Sequence, residues 1–374
     1  MKKSQNHVKG AAKPRILVAP LDWGLGHSTR CIPIIKALIE DGCEVLIVTT
    51  KITFPLLRNE FPNTVFLLYK GYDIKYSRQK SFFSLKLILQ IPKIITRVFE
   101  EHNWLKKTVQ KYQIDAVISD NRFGMYHNKI PSVYITHQLL IKTGNHFTES
   151  IAQKLDYFFI KKYNHCFVPD FEINGLAGEL SHPQKKPENV KYIGPLTRFS
   201  RIAGEKEIYD LMIILSGPES QRTIFEKKIV DELRTVEGEI FLLRGLPSEK
   251  EKLPDLKNVI VRNHLPARKL NELIVQSKFI ICRSGYTSVM DLSALGKKAV
   301  LIPTPGQTEQ EYLAKYLMEK GYFLSMSQKD FSIKKALQLA AGFDFVPPPA
   351  SDEYFKKVFS KFVASIKKST DAFH

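Results

Sequence analysis

The chain has 374 residues, of which 44% are hydrophobic, and a formal net charge of +18 at pH 7. This length suits two domains that each bury a core, while the charge favours an anionic partner: a phosphorylated substrate, an anionic membrane surface or nucleic acid. The four cysteines show no CxxC or paired-histidine spacing, which gives no zinc site or disulfide framework and favours the cytoplasm.

The N-terminal part of the chain is predicted to begin with a strand–helix–strand unit. Residues 1–14 form a basic tail that lacks the apolar core of a signal peptide. The strand at 15–20 leads into a glycine-punctuated loop, in which Gly24 and Gly26 permit a close approach of the backbone to a ligand. A helix with its N-cap at Ser28 follows. We therefore expect a ligand-facing loop between the first strand and the first helix.

The segment 78–107 interleaves large apolar side chains with lysines and arginines. This composition is typical of a helix that lies in the headgroup layer of an anionic membrane, although ordinary helices packed at a sheet edge have the same pattern. Pro92 is expected to kink a helix through the segment. No apolar run approaches the length of a membrane span. We therefore expect a cytoplasmic protein, attached peripherally to the inner face of the cytoplasmic membrane through this segment.

Polar residues follow three further predicted strands of this domain, at the point where each strand ends. Asp120 ends the first, His137 and Gln138 follow the second, and Asp170 follows the third. Because the carboxyl ends of parallel strands meet at one edge of a sheet, these side chains are expected to line a cleft. His137 and Gln138 are candidates for reading acceptor or sugar hydroxyls, although a buried structural histidine fits position 137 equally well.

A second doubly wound unit is predicted at 209–350, after a polar and basic linker at 199–208. Its most informative part is Cys282–Ala314, a strand–helix–strand–helix unit in which helix N-termini offer free N–H groups to a phosphate. The amphipathic helix in 351–374 is expected to pack back on the first domain. The predicted fold class is therefore α/β, with two doubly wound, Rossmann-like domains, 15–198 and 209–350, that face an inter-domain cleft.

Several short motifs of the chain resemble those of one family. Leu25-Gly26-His27 is close to a GGH loop, and Ser284–Asp291 matches an SGxxTxxE pattern with a shorter acid. Gly194–Arg198 corresponds to a GNPVR segment, and Gln310-Glu311 to a QQ pair. The combination resembles the two-domain (GT-B) glycosyltransferases that use nucleotide sugars, and within them the MurG type, with a glycosyltransferase family 28 C-terminal domain. That type adds N-acetylglucosamine to a lipid-linked acceptor at the membrane.

The resemblance implies that the C-terminal domain binds a UDP-sugar. It implies that Arg198 meets the phosphate, that Asp291 holds the ribose, and that Gln310 and Glu311 lie beside the sugar. Because Asp replaces Glu and Glu replaces the second Gln in these motifs, the identity of the hexose or N-acetylhexosamine stays open. The donor-binding positions implied in this way are Arg198, Ser216, Gly217, Gln221, His264, Leu265, Ser284, Gly285, Tyr286, Thr287, Asp291, Gln310 and Glu311.

Three more assignments in the second domain come from side-chain chemistry alone. The carboxylate of Glu309 is able to accept hydrogen bonds from the hydroxyls of a ribose or a sugar. Arg283 is either a phosphate contact or part of a surface ion pair. Tyr286 either stacks on the base or the sugar, or fills the gap beside Gly285.

Glycosyl transfer needs a base for the acceptor hydroxyl, and His27 and Asp120 are the candidates for this chemistry. An imidazole exchanges protons near neutral pH, so His27 at the end of the glycine loop is the candidate general base. Asp120, at a strand end of the same domain, would orient and stabilise that imidazole. Two alternatives stay open: His27 contacts a phosphate or caps the backbone instead, and Asp120 caps a helix.

The sequence therefore predicts a glycosyltransferase that moves a sugar from a UDP-sugar to a lipid-linked or membrane-associated acceptor hydroxyl by direct displacement. No DxD tandem follows a strand, so we expect neither a metal ion nor any cofactor beside the donor substrate. No motif for reading RNA or DNA is present, so we expect no nucleic acid partner. The alternatives are a UDP-sugar 2-epimerase, and a non-catalytic subunit that binds a sugar nucleotide or a membrane.

Overall fold

The computed structural model of the protein describes most of the chain. Some parts of the chain with predictions lie outside the described residues: residues 1–12 of the tail, Gly24, and residues 78–82 of the segment 78–107. The predictions made for them stay predictions. The described residues are 13–22, 25–71, 83–142, 146–202, 204–217, 219–246, 253, 256–349 and 353–371.

The N-terminal domain is built on a parallel sheet. Its elements are β1 (Arg15–Pro20), α1 (Leu25–Glu40), β2 (Glu44–Thr49), α2 (Phe54–Glu60), β3 (Val65–Leu68), α3 (Phe83–Tyr112), β4 (Ala116–Asp120), β5 (Ser132–Ile135), α4 (His146–Ile160), β6 (His165–Val168) and β7 (Val190–Tyr192). The seven strands pair in the order β3-β2-β1-β4-β5-β6-β7. The order reverses direction between β1 and β4, which pair in register from Ile16 with Ala116 to Pro20 with Asp120. This reversal opens the crevice in which doubly wound sheets bind ligands.

The C-terminal domain repeats the plan with six strands. Its elements are β8 (Tyr209–Ile214), α5 (Gln221–Leu233), β9 (Ile240–Leu243), β10 (Val259–Arg262), α6 (Ala267–Val275), β11 (Ser277–Cys282), α7 (Tyr286–Leu295), β12 (Ala299–Leu301), α8 (Thr308–Glu319), β13 (Leu324–Ser325) and α9 (Ile333–Ala341). The parallel strands pair in the order β10-β9-β8-β11-β12-β13, which reverses between β8 and β11. The predicted fold class, two doubly wound α/β domains, is confirmed.

Helix α1 begins earlier than the sequence predicts. It starts at Leu25, so His27 lies in its first turn rather than in the preceding loop. The predicted N-cap, Ser28, is fully buried inside the helix, and its hydroxyl has no hydrogen-bond partner within the described part of the chain. The reason is tertiary: the first turn packs against the second domain, where Thr287 donates a hydrogen bond to the carbonyl of Gly26.

Helix α3 runs through Pro92 as one element. A proline inside a helix removes one backbone hydrogen bond, and buried Val98 and Leu105 anchor the turns that follow. Phe99, on the same helix, is largely exposed. None of the helices in the described ranges is long and apolar enough to span a membrane.

The C-terminal helix α10 (Tyr354–Asp371) lies against the N-terminal domain. Its buried stripe includes Phe359, whose ring packs edge-on against Phe167 of β6 at a centroid distance of 5.6 Å. Ser360 donates a 2.9 Å hydrogen bond to the carboxylate of Asp41, which follows α1. The chain therefore crosses to the second domain and returns, so that α10 stabilises the first domain.

Candidate active site

The two domains contact one another where the first turn of α1 faces the start of α7. Thr287 donates from its hydroxyl to the carbonyl of Gly26 at 3.3 Å, and Tyr286 donates from its phenol to the carbonyl of Pro169 at 2.9 Å. Gly26 follows β1 and Pro169 follows β6, so both carbonyls belong to the carboxyl edge of the first sheet. The carboxyl edges of the two sheets therefore face each other directly.

Asp120, His27 and Arg30 form a charged cluster on the N-terminal side of this contact. Asp120 ends β4 and is fully buried, and its Oδ2 atom lies 3.1 Å from Nδ1 of His27. One helical turn after His27, the buried Arg30 donates from Nη2 to Oδ1 of Asp120. Burial raises the pKa of the Asp120 carboxyl, but the charges and hydrogen bonds of Arg30 and His27 together outweigh burial, and the pKa is lowered. Asp120 is therefore a buried carboxylate whose charge Arg30 balances.

His27 has two hydrogen-bonding arrangements in this cluster. Nη2 of Arg30 lies 2.9 Å from Nδ1 of His27, the same ring nitrogen that faces Asp120. A guanidinium only donates and a carboxylate only accepts, so Nδ1 pairs with Asp120 when it carries a proton and with Arg30 when it does not. Only the pairing with Asp120 leaves a lone pair on Nε2, which a general base requires.

His137 connects this cluster to the other domain. Nη1 of Arg30 lies 2.9 Å from Nδ1 of His137, so that nitrogen must accept and the proton must be on Nε2. Nε2 then donates to Oε1 of Glu309, at the start of α8, at 2.8 Å. Burial lowers the pKa of His137, in spite of the opposing charge of Glu309. The ring also stacks on Tyr286 at 4.3 Å. The predicted acceptor residue thus occupies an inter-domain bridge.

Arg198 and Asp291, predicted to meet the phosphate and the ribose of a donor, lie side by side. Asp291 is buried in α7 and accepts a 2.8 Å hydrogen bond from the hydroxyl of Thr197. Nε of Arg198 lies 3.8 Å from its other carboxylate oxygen. Burial raises the pKa of the Asp291 carboxyl to about 6, although the charge of Arg198 opposes the rise. The segment that connects the two domains is therefore joined to α7 at these residues.

Gln310 and Glu311, predicted to lie beside the sugar, bond within the turn that leads into α8. Oε1 of Gln310 accepts from the backbone N–H of Thr304 at 2.9 Å, and Oε1 of Glu311 accepts from that of Gly306 at 3.0 Å. Ser284 donates from its buried hydroxyl to the carbonyl of Gln310 at 2.8 Å, which joins two loops of the C-terminal domain. The neighbouring carboxylate of Glu309 is the one that reaches the inter-domain cluster.

The loop predicted to hold the diphosphate follows β8. Ser216 and Gly217 are exposed there, and Gly217 has a φ of +107°, a conformation that only glycine adopts at low cost. Gln221 is the first residue of α5, and the preceding Ser220 forms no side-chain cap, so among the described residues its side chain leaves the first N–H groups of α5 uncapped. This is the backbone arrangement of an anion site.

The other predicted positions are spread around the cleft. His264 and Leu265 are half-buried between β10 and α6; burial lowers the pKa of His264, and the charge of Arg198 lowers it further. Gly285 is the N-cap residue of α7. Gln138 is half-buried beside the inter-domain bridge. In the described ranges, no group of three or more His, Cys, Asp and Glu side chains is arranged to hold a metal ion.

Arg30 is the member of the cluster that the sequence does not reveal. It lies three residues after His27 in the same helix, which places it on the same side of that helix. An arginine among the apolar residues of α1 does not by itself indicate a buried residue of the site, because most arginines are exposed. Its partners Asp120 and His137 lie 90 and 107 residues further along the chain.

Comparison with known proteins identifies the family of the chain. The sequence model of glycosyl transferase family 1 matches residues 15–340, which include both sheets. The UDP-N-acetylglucosamine–N-acetylmuramyl-(pentapeptide) pyrophosphoryl-undecaprenol N-acetylglucosamine transferase of Clostridium tetani is 23% identical over 324 residues, covering 83% of this chain and 84% of its own.

Two solved structures show the same fold at low sequence identity. The spinosyn rhamnosyltransferase SpnG matches with a TM-score of 0.64 at 14% identity, covering 95% of this chain and 96% of its own. MurG of Acinetobacter baumannii matches with a TM-score of 0.51 at 13% identity, covering 96% and 95%. The resemblance and the enzyme class predicted from the sequence are confirmed. The chain belongs to glycosyl transferase family 1 and is a MurG-like glycosyltransferase with the GT-B fold.

Proposed function

We propose that the enzyme transfers a hexose or N-acetylhexosamine from a UDP-sugar to an acceptor hydroxyl at the cytoplasmic face of a membrane. The observation that carries this proposal is the 3.1 Å contact between His27 and Asp120, next to the 3.3 Å contact that joins Gly26 to Thr287 of the other domain. A base at the junction of two facing domains has the position that glycosyl transfer needs, because the acceptor hydroxyl and the anomeric carbon must meet there.

In the proposed reaction, Nε2 of His27 takes the proton of the acceptor hydroxyl while its oxygen attacks the anomeric carbon. The bond from that carbon to the diphosphate oxygen breaks, and the nucleoside diphosphate leaves with the electron pair. Asp120 accepts from Nδ1–H and stabilises the imidazolium that forms. Arg198 and the free N–H groups of α5 offset the negative charge of the leaving group. The transfer is a direct displacement that uses no metal ion.

The proposed donor places its ribose at Asp291 and its diphosphate at Arg198. Their 3.8 Å contact supports this assignment, because ribose and diphosphate are adjacent in a nucleotide. The Clostridium tetani relative is named for a UDP-sugar, whereas SpnG has also been solved in complex with thymidine diphosphate. Both nucleotides therefore belong in the donor screen. For the sugar, Glu309 is the proposed hydroxyl partner, because its carboxylate reaches the contact between the domains.

An exposed apolar surface on α3 and α4 supports an acceptor that is associated with a membrane. Phe99 of α3 is 64% exposed, and Phe147 and Phe158 of α4 are 73% and 54% exposed. The two helices share a core cluster, so these rings belong to neighbouring elements. Lys162 lies 4.8 Å over the ring of Phe158. Aromatic side chains beside lysines suit the headgroup layer of an anionic membrane, and we propose that this surface contacts it.

A donor screen followed by product analysis tests the proposal. Calorimetry with UDP, dTDP and their sugar conjugates identifies the donor, which is then incubated with and without polyprenyl-phosphate-linked acceptors and membrane extracts. A transferase releases the nucleoside diphosphate only with an acceptor. A 2-epimerase interconverts the nucleotide sugar without one, and a non-catalytic subunit binds the donor without turnover. Either of these last two results would contradict transfer.

The role of His27 is tested in the same assay. His27→Ala is expected to lower turnover by about 10²- to 10⁴-fold while donor affinity is unchanged, because the base acts on the acceptor. His165→Ala is the matched control, since this exposed histidine begins β6 and therefore lies at the opposite edge of the sheet. Full turnover by the His27 variant would rule out the proposed base.

A further inference from the structure

Arg283 is a buried cation at the end of β11 that connects three loops of the donor domain. It is 1% exposed. Nη1 donates to the carbonyls of Ile302 and Pro303 at 3.2 and 3.3 Å, and Nη2 donates to that of Gln221 at 3.3 Å. The guanidinium also lies 4.2 Å over the ring of Phe225. Arg283 therefore forms no surface ion pair, which was one of the two possibilities left by the sequence.

The charge of Arg283 has no counter-ion within the described ranges. No carboxylate there forms an ion pair with it, and its Nε atom has no hydrogen-bond partner. Carbonyl oxygens and an aromatic face offset only part of the cost of burying a guanidinium. Burial lowers the pKa of Arg283 to about 10. The fold thus keeps a poorly compensated positive charge inside the donor domain.

The arginines of the adjacent ion-pair network differ from Arg283 in this respect. Arg222 lies 2.7 Å from Glu219 and 3.1 Å from Glu226, and Arg244 lies 2.5 Å from Glu226. Both carboxylates are engaged by these partners. The network consequently offers no negative charge to Arg283.

The groups around Arg283 have the polarity of an anion site. The hydroxyl of Thr304 is buried without a hydrogen-bond partner among the described residues, and it lies 3.7 Å from the position that a Cβ atom would take at Gly217. Gln221, which Arg283 contacts, begins the 13-residue helix α5, whose N-terminus carries free N–H groups and the positive end of the helix dipole. A buried cation, an unpaired hydroxyl and a helix N-terminus therefore converge on one loop.

We propose that Arg283 is a positioning residue for the leaving group, and that the diphosphate of the donor, bound at the loop of Gly217, is its missing counter-ion. This inference rests on the proposed function, because the ligand is a nucleoside diphosphate sugar. Arg283 holds the loops that follow β8 and β12 through their carbonyls and adds positive potential beneath the site. The diphosphate gains negative charge as its bond to the sugar breaks, so the effect of Arg283 increases toward the transition state.

Calorimetry with a nucleoside and its diphosphate separates this role from a purely structural one. Arg283→Met is expected to weaken binding of UDP, or of dTDP if that is the nucleotide the wild type binds, by about tenfold or more, with unchanged affinity for the nucleoside. Arg283→Lys keeps the charge and most of the diphosphate affinity. Thr304→Val is expected to weaken the diphosphate by about threefold. Arg268→Met, at a side chain that is 94% exposed on α6, is the matched control and should change neither affinity.

Two results would overturn the inference alone: equal losses of nucleoside and diphosphate affinity in Arg283→Met, or no loss of either. If that variant does not fold, Thr304→Val decides, and a wild-type ratio of nucleoside affinity to diphosphate affinity in that variant overturns the inference. A wild-type enzyme that binds no nucleoside diphosphate would instead overturn the proposed donor class, and the inference with it.

Discussion

Replacing Asp156 with asparagine is expected to stabilise the enzyme, and to do so more strongly at higher pH. Asp156 lies on α4 and is 6% exposed, and its Oδ2 atom has no hydrogen-bond partner in the part of the chain that the structure describes. Burial raises the pKa of its carboxyl to about 8, whereas an aspartate in an unfolded chain has a pKa of about 3.9. At neutral pH the folded state therefore holds a proton that the unfolded state releases.

The size of the effect follows from the difference between these two pKa values. The pKa of the Asp156 carboxyl is higher in the folded state than in the unfolded state. Below about pH 4 the group is protonated in both states and its ionisation does not affect stability, whereas stability is lost as the pH rises toward about 8. Each pH unit above the unfolded-state pKa lowers the free energy of unfolding by about 1.4 kcal/mol. At pH 7, roughly three units above that pKa, the loss amounts to about 4 kcal/mol. Asparagine keeps the shape of Asp156 and removes its ionisation.

Thermal unfolding between pH 5 and pH 8 measures this effect. The stability gained by Asp156→Asn is expected to grow by about 1.4 kcal/mol per pH unit, with an increase in Tm on the order of 10 °C at pH 7. Asp231→Asn, at an exposed position of α5, is the matched control and should show no pH-dependent gain. A gain that is equal at pH 5 and pH 8, or a loss at both, would refute the reasoning.

Three further predictions concern the active site. Arg30→Met is expected to cost about 3–5 kcal/mol of stability in thermal unfolding, because it leaves Asp120 buried without its counter-charge, and adding Asp120→Asn should recover most of that loss. The calorimetric affinity of the wild type for its nucleoside diphosphate should fall below about pH 6, where the Asp291 carboxyl protonates, while Asp291→Asn shows no such fall. Turnover should be unchanged after treatment with EDTA, and a loss that Mg²⁺ restores would contradict the proposed metal-independent displacement.

The architecture was predictable because its signals are local. Short apolar runs that end in polar residues identify the strands, and glycines mark the turns that follow them. The same signals lead to Asp120 as a residue at the ligand-binding edge. They do not reveal that β4 is the strand next to β1, which is what brings Asp120 within 3.1 Å of His27. The pairing of β4 with β1 depends on the order of the strands in the sheet. The sequence predicts a doubly wound sheet but not that order.

The roles of individual side chains were less predictable, because they depend on contacts between distant segments. The sequence identifies an acid at position 291 but not its hydrogen bond to Thr197, 94 residues away. Gln310 and Glu311 fit a sugar-binding motif, yet their side chains bond within their own turn, and Glu309 is the residue that contacts His137 of the other domain. A motif fixes which residue types are available, whereas the backbone directions around it decide which of them face the ligand.

Two of the buried arginines, Arg30 and Arg283, illustrate how the halves of the site differ. Arg30 has a counter-ion in the fold: its Nη2 atom contacts both Asp120 and His27, and its Nη1 atom contacts His137. Arg283 has no such partner among the described residues. In the cluster proposed to act on the acceptor, the charge of Arg30 is thus balanced within the folded protein. Among the groups proposed to act on the donor, the charge of Arg283 is not balanced by any described residue. If the donor diphosphate supplies the balancing charge, its binding should stabilise the second domain more than the first. Hydrogen exchange of the two sheets with and without the nucleotide measures this difference.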